Sequence, residues 1–264
     1  MNGVMGTIIV GVDESPEAAE ALRWAVRESR HHSSPLTAVM AWGYLDQPHA
    51  NDTAQDAAIV LNQLVTRAAP DDARAISRTV VCDLPARALL DASEHAELLV
   101  VGARDYGGLR GLLLGSVSQQ CAHHTTVPIA IVRRTGRDFA APSERIVVGI
   151  DGSKTSMRAL AWALDEGRAR DAPVTVVHAW RPALLGALDY ASPVLDRQTL
   201  EATAKTTVDD AISQSRTDGL PSPVGTVVVD GGAANAILDA VQQHHSSWWA
   251  PAAGAASLGF SSDR

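Results

Sequence analysis

The chain repeats itself. Arg145 to Trp180, RIVVGIDGSKTSMRALAWALDEGRARDAPVTVVHAW, lies on Thr7 to Trp42 without a gap. Asp13 falls on Asp151, Ser15 on Ser153, Trp24 on Trp162, Pro35 on Pro173 and Trp42 on Trp180, all at an offset of 138. The match resumes later at an offset of 148, where Arg87–Ala92 falls on Asn235–Ala240. A gapless repeat of this length means tandem copies of one domain. At 264 residues the chain has room for two. The expected division is one domain at 1–134, a linker at 135–144 containing Gly136, Pro142 and Ser143, and a second domain at 145–242.

Within the first copy, apolar runs alternate with amphipathic stretches. Thr7 to Asp13, TIIVGVD, reads as a strand ending in an acid. Ser15-Pro16-Glu17 then opens a helix: an N-cap serine, proline in the first turn and an acid at the positive end of the dipole. That helix runs to about His31, with Ala18, Leu22, Ala25 and Val26 on its apolar face. Strands follow at Pro35–Trp42, Ala75–Cys82, Leu98–Val101 and Pro128–Arg133. Helices are expected at Thr53–Ala69, with Ile59, Val60, Leu64 and Val65 apolar, at Pro85–His95 and at Ser116–His124. Strands alternating with helices imply a parallel sheet with right-handed crossovers.

The stretch LLVVGARDYGGLRGLLLGSVS, Leu98 to Ser118, carries the chemistry. A buried strand runs into Gly102, Gly107, Gly108 and Gly111, then into Gly115-Ser116-Val117-Ser118 at the start of a helix. Strand, glycine loop and helix N-terminus form a phosphate cradle. Free backbone N–H groups point at the anion, and small residues let the backbone approach it. Ser116 and Ser118 are candidate hydroxyl donors. There is no Gly-Lys-Ser/Thr, so this is not a P-loop, and the glycine spacing is not that of a dinucleotide fingerprint.

VGVD-x-S on the first strand, the strand ending in Ala-Trp, and glycine, two residues, a second position, nine residues, Gly-Ser together resemble the universal stress protein family in tandem form. The resemblance reaches to about residue 242. It implies a flavodoxin-like, HUP-type parallel sheet of order 3-2-1-4-5 with helices on both faces. It also implies an adenine-nucleotide site, with ATP as the ligand. In such a sheet the ligand lies where the strand order reverses, between strands 1 and 4. The resemblance implies that Val12 and Asp13 meet the adenosine, with Ala41 beside the base. Gly102, Arg104, Gly115, Ser116, Val117 and Ser118 would hold ribose and phosphates. Pairing of domains through the fifth strand, Pro128–Arg133, is implied as well, giving an expected homodimer.

One position departs from the pattern. The second glycine of the motif is Asp105 here. Aspartate tolerates left-handed conformations, but its carboxylate repels a polyphosphate unless Mg²⁺ lies between them. A like-charge pair at ~5 Å costs ~3 kcal/mol at an effective dielectric of ~20. Arg104 and Arg110 offset part of this. The first site is therefore expected to bind ATP, with Mg²⁺ as the companion ion, more weakly than a glycine-bearing relative.

Each site residue also has a plainer role. Asp13 suits the turn into the first helix, Ser116 is a natural N-cap residue, and Gly107 and Gly108 suit a loop. The tryptophans at 24, 42, 162 and 180 are expected to pack in the core. His31-His32 and His123-His124 sit at helix ends, where a cation suits the dipole.

Other classes are disfavoured. The net charge of −8 argues against nucleic acid or anionic lipid as partner. The only cysteines, Cys82 and Cys121, have no metal-ligand spacing, and a reducing cytoplasm is expected. No apolar run reaches membrane-spanning length, and MNGVMGT leads straight into a strand. No Ser-His-Asp arrangement or nucleophile elbow is present. An adenylyl transferase or PP-loop ligase would need HxGH or SGGxDS, and GVDESPE is neither. The expectation is a nucleotide-binding stress or signalling module with at most weak ATP hydrolysis. The alternative is a non-nucleotide interaction module that keeps the fold.

The second copy is expected to be incomplete. It supplies strands at Arg145–Asp151, Val174–Trp180 and Val224–Val229 and helices near Ser156–Arg170, Arg197–Ser215 and Ala233–Gln242. QHHSSWWAPAAGAASLGFSSDR then stands where a fourth strand and glycine loop belong. Residues 243–264 are expected to be poorly ordered and to be an out-of-frame reading of that motif. A plain Ala/Gly/Ser-rich tail is the alternative.

Overall fold

The structure is a computed structural model that describes residues 6–42, 53–103, 115–133, 145–181, 197–215 and 223–242. The chain divides into two compact units, Met1–Asp138 and Phe139–Arg264.

The first unit runs β1 (Ile8–Gly11), α1 (Pro16–His32), β2 (Leu36–Trp42), α2 (Ala54–Ala68), β3 (Ser77–Cys82), α3 (Pro85–Ala92), β4 (Leu98–Gly102), α4 (Ser116–His124) and β5 (Ile129–Val132). The five strands form one sheet of order β3-β2-β1-β4-β5, and every pairing is parallel. This is the expected 3-2-1-4-5 sheet.

Side chains of successive strand residues point to opposite faces, and both faces are covered. Ile8, Val10, Leu98 and Val100 pack with Leu22 and Ala25 of α1 and Leu61 and Val65 of α2. Ile9, Leu99 and Val101 pack with Leu89 of α3 and Cys121 of α4. That double burial explains why β1 and β4 are unbroken apolar runs.

Capping fixes where the helices start and stop. Ser15 accepts from the Ala18 N–H, Pro16 sits in the first turn, and Arg30, His31 and His32 occupy the last turn of α1. Ser33 closes it in the left-handed region at φ 55°, its N–H reaching the carbonyls of Arg30 and Ser29. One expectation needs adjusting. α3 ends at Ala92 rather than His95, because Ser93 caps it on the carbonyls of Leu89 and Leu90. Ile59 is exposed, since the buried stripe of α2 is Ala57, Leu61 and Val65.

The second unit runs β6 (Ile146–Gly149), α5 (Lys154–Arg170), β7 (Val174–Trp180), α6 (Arg197–Gln214), β8 (Val224–Asp230) and α7 (Ala233–Gln242). Its sheet has three strands, order β6-β7-β8. The repeat extends to geometry: Ile8 pairs with Leu36, and Ile146 with Val174. Thr37 pairs with Ser77, and Thr175 with Gly225. A β-carbon on Gly11 would stand 2.7 Å from Leu89 Cδ1, and one on Gly149 would stand 2.7 Å from Ile237 Cδ1. Asp171 closes α5 at φ 50°, as Ser33 closes α1.

The expectation for Trp162 needs correcting. Trp24 packs against the first core, but its counterpart Trp162 is 48% exposed. α1 lies against β4 and β5 as well as β1 and β2. Among the described residues α5 has only β6 and β7 beneath it. The expected linker, save its ends, and residues 243–264 lie outside the described residues.

Candidate functional site

β1 lies between β2 and β4, so the chain leaves it in one direction and returns on its other side. This is the switch point of an open parallel sheet, where the loops at the strand ends diverge and leave a crevice. The C-terminal ends of β1 and β4 and the N-terminus of α4 lie at that end of the sheet.

From β1, Val12 is buried and donates its N–H to the Val39 carbonyl at 2.9 Å. That bond carries the β1–β2 ladder one residue past the strand. Asp13 is the first exposed residue after it. Its carboxylate accepts the Ser15 N–H at 2.9 Å and the Ser15 hydroxyl. Ser15 in turn accepts from the Ala18 N–H at 3.1 Å. Asp13 therefore holds the turn that starts α1, and it is exposed just past the C-terminal end of β1. Ala41 is half-buried on β2, paired with Val81 of β3.

From β4, Gly102 pairs with Val132. A β-carbon on it would meet the Glu17 carbonyl carbon at 2.7 Å and oxygen at 2.8 Å, and the Ala18 nitrogen at 3.0 Å. The end of β4 thus touches the backbone of the first turn of α1, and only glycine fits. Ala103, buried, donates to the Val132 carbonyl at 2.8 Å.

α4 starts at Gly115, an N-cap with extended backbone and no side-chain cap bond. A helix start leaves its first N–H groups without intrahelical partners, and glycine has no side chain to cap them. Ser116 is exposed and Val117 half-buried. Ser118 is buried and donates its hydroxyl to the Gly115 carbonyl at 3.0 Å, inside the first turn. Arg104 and Asp105 fall outside the described residues.

The structure thus brings Val12, Asp13, Gly102 and the Gly115–Ser118 helix start to one end of the sheet. The role of Glu17 and Ala18 as the wall behind Gly102 was not read from sequence. Its signal is present in retrospect: a glycine at the end of a buried strand marks close backbone approach. In the second unit Asp151 repeats Asp13. It accepts the Ser153 N–H at 2.9 Å, and the hydrogen bonds to Ser153 and Ser156 hold its carboxyl down at about 2.

The model of the universal stress protein family matches this chain twice, at residues 5–133 and 142–247. The chain belongs to the universal stress protein family. Universal stress protein Rv2623 of Mycobacterium tuberculosis H37Rv is 35% identical over 190 residues, 66% of this chain and 63% of that one. The chain thus spans somewhat under two thirds of the length of that curated relative. Among solved structures, a universal stress protein from Archaeoglobus fulgidus covers 91% of this chain and 84% of its own at TM-score 0.66 and 17% identity, a likeness of fold. Another family member, solved in complex with cAMP, covers 48% of this chain and 96% of its own at TM-score 0.38 and 26% identity. Among the described residues no helix is long and apolar enough to cross a membrane.

Proposed function

We propose that the first unit binds an adenine nucleotide, ATP by preference, in the crevice between the ends of β1 and β4, and that the protein acts as a stress-response or signalling module rather than as an enzyme. The observation that carries this is the α4 start. Gly115 leaves the helix end uncapped by any side chain, at the switch point, directly after the Gly102–Gly111 run. An uncapped helix N-terminus beside a glycine-rich segment suits phosphate. The groups present fit the ligand. Backbone N–H groups of α4 would take phosphate, Ser116 offers an exposed hydroxyl, and Asp13 suits a ribose hydroxyl or, with phosphate, Mg²⁺. At most weak ATP hydrolysis is expected. Both cysteines are free, which fits a reducing compartment such as the cytoplasm.

The test is calorimetric titration of the whole chain with ATP and Mg²⁺. Binding is expected, and Asp105→Gly is expected to tighten it. No heat in either protein would overturn the reading. A tight wild type that Asp105→Gly leaves unchanged would overturn only the role of Asp105.

A second reading is favoured by specific contacts. Asp13 is engaged by Ser15, the Ser118 hydroxyl by Gly115, and Gly102 is required by α1. Each of these motif residues has a use without a ligand, as in an interaction module that keeps the fold. The absence of ATP binding in the same titration selects this alternative.

A further inference from the structure

Among the described residues, nothing in the second unit corresponds to the β4 and α4 of the first. β1 pairs with β2 and with β4, whereas among the described residues β6 pairs with β7 alone. On one face of the sheet Trp162 of α5 is 48% exposed, while its counterpart Trp24 is packed. On the other face Leu238 and Val241 of α7 are exposed. Their counterparts on α3 are Leu90, packed in a cluster with Val117 and Cys121 of α4, and buried Ser93. One strand edge and two helix faces thus want the same occupant: a strand that pairs with β6, followed by a helix that covers α7.

We propose that the occupant is a strand, glycine loop and helix start encoded in this same gene, in the frame that begins each codon one base earlier from Ser246 onward. The register follows from the structure. Pro85 starts α3 and Ala233 starts α7, an offset of 148. The same offset places β4, Leu98–Gly102, opposite residues 246–250. The family match of the second copy ends at residue 247.

In the shifted frame, the first two bases of each residue's codon become the last two bases of a new codon. Tryptophan has one codon, TGG, and alanine begins GC. Trp248–Trp249 then forces GTG, valine, opposite Val101, and Trp249–Ala250 forces GGC, glycine, opposite Gly102. Opposite Val100 the codon ends TG, which is methionine, leucine or valine. A serine codon of the TC type gives a codon ending TC, which is apolar whatever its first base. With codons of that type, Ser246 and Ser247 supply apolar residues opposite Leu98 and Leu99, and Ser261 and Ser262 do so opposite Leu113 and Leu114. Phe260, beginning TT, does so opposite Leu112.

Ala255 and Ala256 admit glycine opposite Gly107 and Gly108, Asp263 admits it opposite Gly115, and Arg264 admits serine opposite Ser116. Opposite Asp105 the codon ends GC through Ala253, which excludes aspartate and admits the glycine the first copy lacks. With those codons the frame reads as four apolar residues, a glycine, a glycine-bearing loop, three apolar residues and Gly-Ser. That is the order the open β6 edge requires.

The test has two parts. The first is the coding DNA across residues 240 to 264. It is expected to show serine codons of the TC type at 246, 247, 261 and 262, and third bases that make glycine opposite Gly107, Gly108 and Gly115. A stop codon in the shifted frame, or any other residue at those three positions, overturns the proposal. The second part inserts one base ahead of the His245 codon, so that the chain continues in that frame from Ser246 onward. Amide hydrogen exchange of Ile146–Gly149 is then compared with that of the chain as it stands. Exchange is expected to slow by at least ~10-fold as the edge pairs, and the part of the emission removed by Trp162→Phe is expected to shift to shorter wavelength. Unchanged exchange and emission would overturn the docking even if the codons spell the segment.

Discussion

A β-carbon on Gly102 lands 2.7 Å from the Glu17 carbonyl carbon, and the atoms it meets in Glu17 and Ala18 are all backbone. Gly102→Ala must therefore push α1 away from β4. Overpacking of this kind costs about 2 kcal/mol, and urea denaturation is expected to show it as a lower midpoint with an unchanged slope. A variant as stable as the wild type would mean that the glycine is there for a ligand alone. Gly11→Ala meets only the Leu89 side-chain end, so its cost is expected to be smaller.

The two cysteines make a contrasting pair. Cys121 is fully buried, and burial pushes its thiol up to about 11 from 9.0, whereas Cys82 is exposed. A thiol-directed reagent at pH 8 is expected to label Cys82 in the native protein and Cys121 only after unfolding. The sign of the linkage follows. The raised thiol stabilises the fold fully below its unfolded value, and that contribution is lost as pH rises from about 9 through about 11. Rapid native labelling of Cys121 at pH 8 would contradict its burial.

Among the elements, β5 stands at the end of the sheet and pairs with β4 alone among the described residues. Its Ile129, Ala130 and Ile131 are only half-buried. An apolar edge strand with unpaired backbone groups invites another strand. Dimers through residues 128–133 are therefore expected, and Ile131→Lys is expected to dissociate them. Light scattering that shows a monomer at micromolar concentration would count against this. The edge was legible in the sequence because an unbroken apolar run following four strand–helix units has to end the sheet. Helix starts were legible for a similar reason: Ser15-Pro16 and Ser153 carry their caps in their own side chains. What periodicity missed was set by neighbours. Ile59 is as apolar as the buried stripe of α2 yet stands exposed, and Gly102 reads as a phosphate ligand until the first turn of α1 is seen against it. Arg104 and Asp105 were legible only as a motif, and they lie outside the described residues.

For the whole molecule, the repeat makes the two units comparable residue by residue, and stability is expected to differ where coverage does. In the first unit Leu22, Leu61, Leu99 and Val100 are fully buried beneath helices on both faces of five strands. In the second, Leu160, Leu164, Val174 and Val176 are as well buried, but the sheet has three strands and leaves Trp162, Leu238 and Val241 exposed. Local opening free energy falls with the apolar area a segment buries. An exposed Trp162 forfeits part of the ~1.5–3 kcal/mol that burying a large apolar side chain contributes. Limited proteolysis followed by mass spectrometry is therefore expected to cut within 139–242 first and to leave a resistant fragment ending near Asp138. A protease that cleaves both units at the same rate would show that something other than the described strands covers the second sheet.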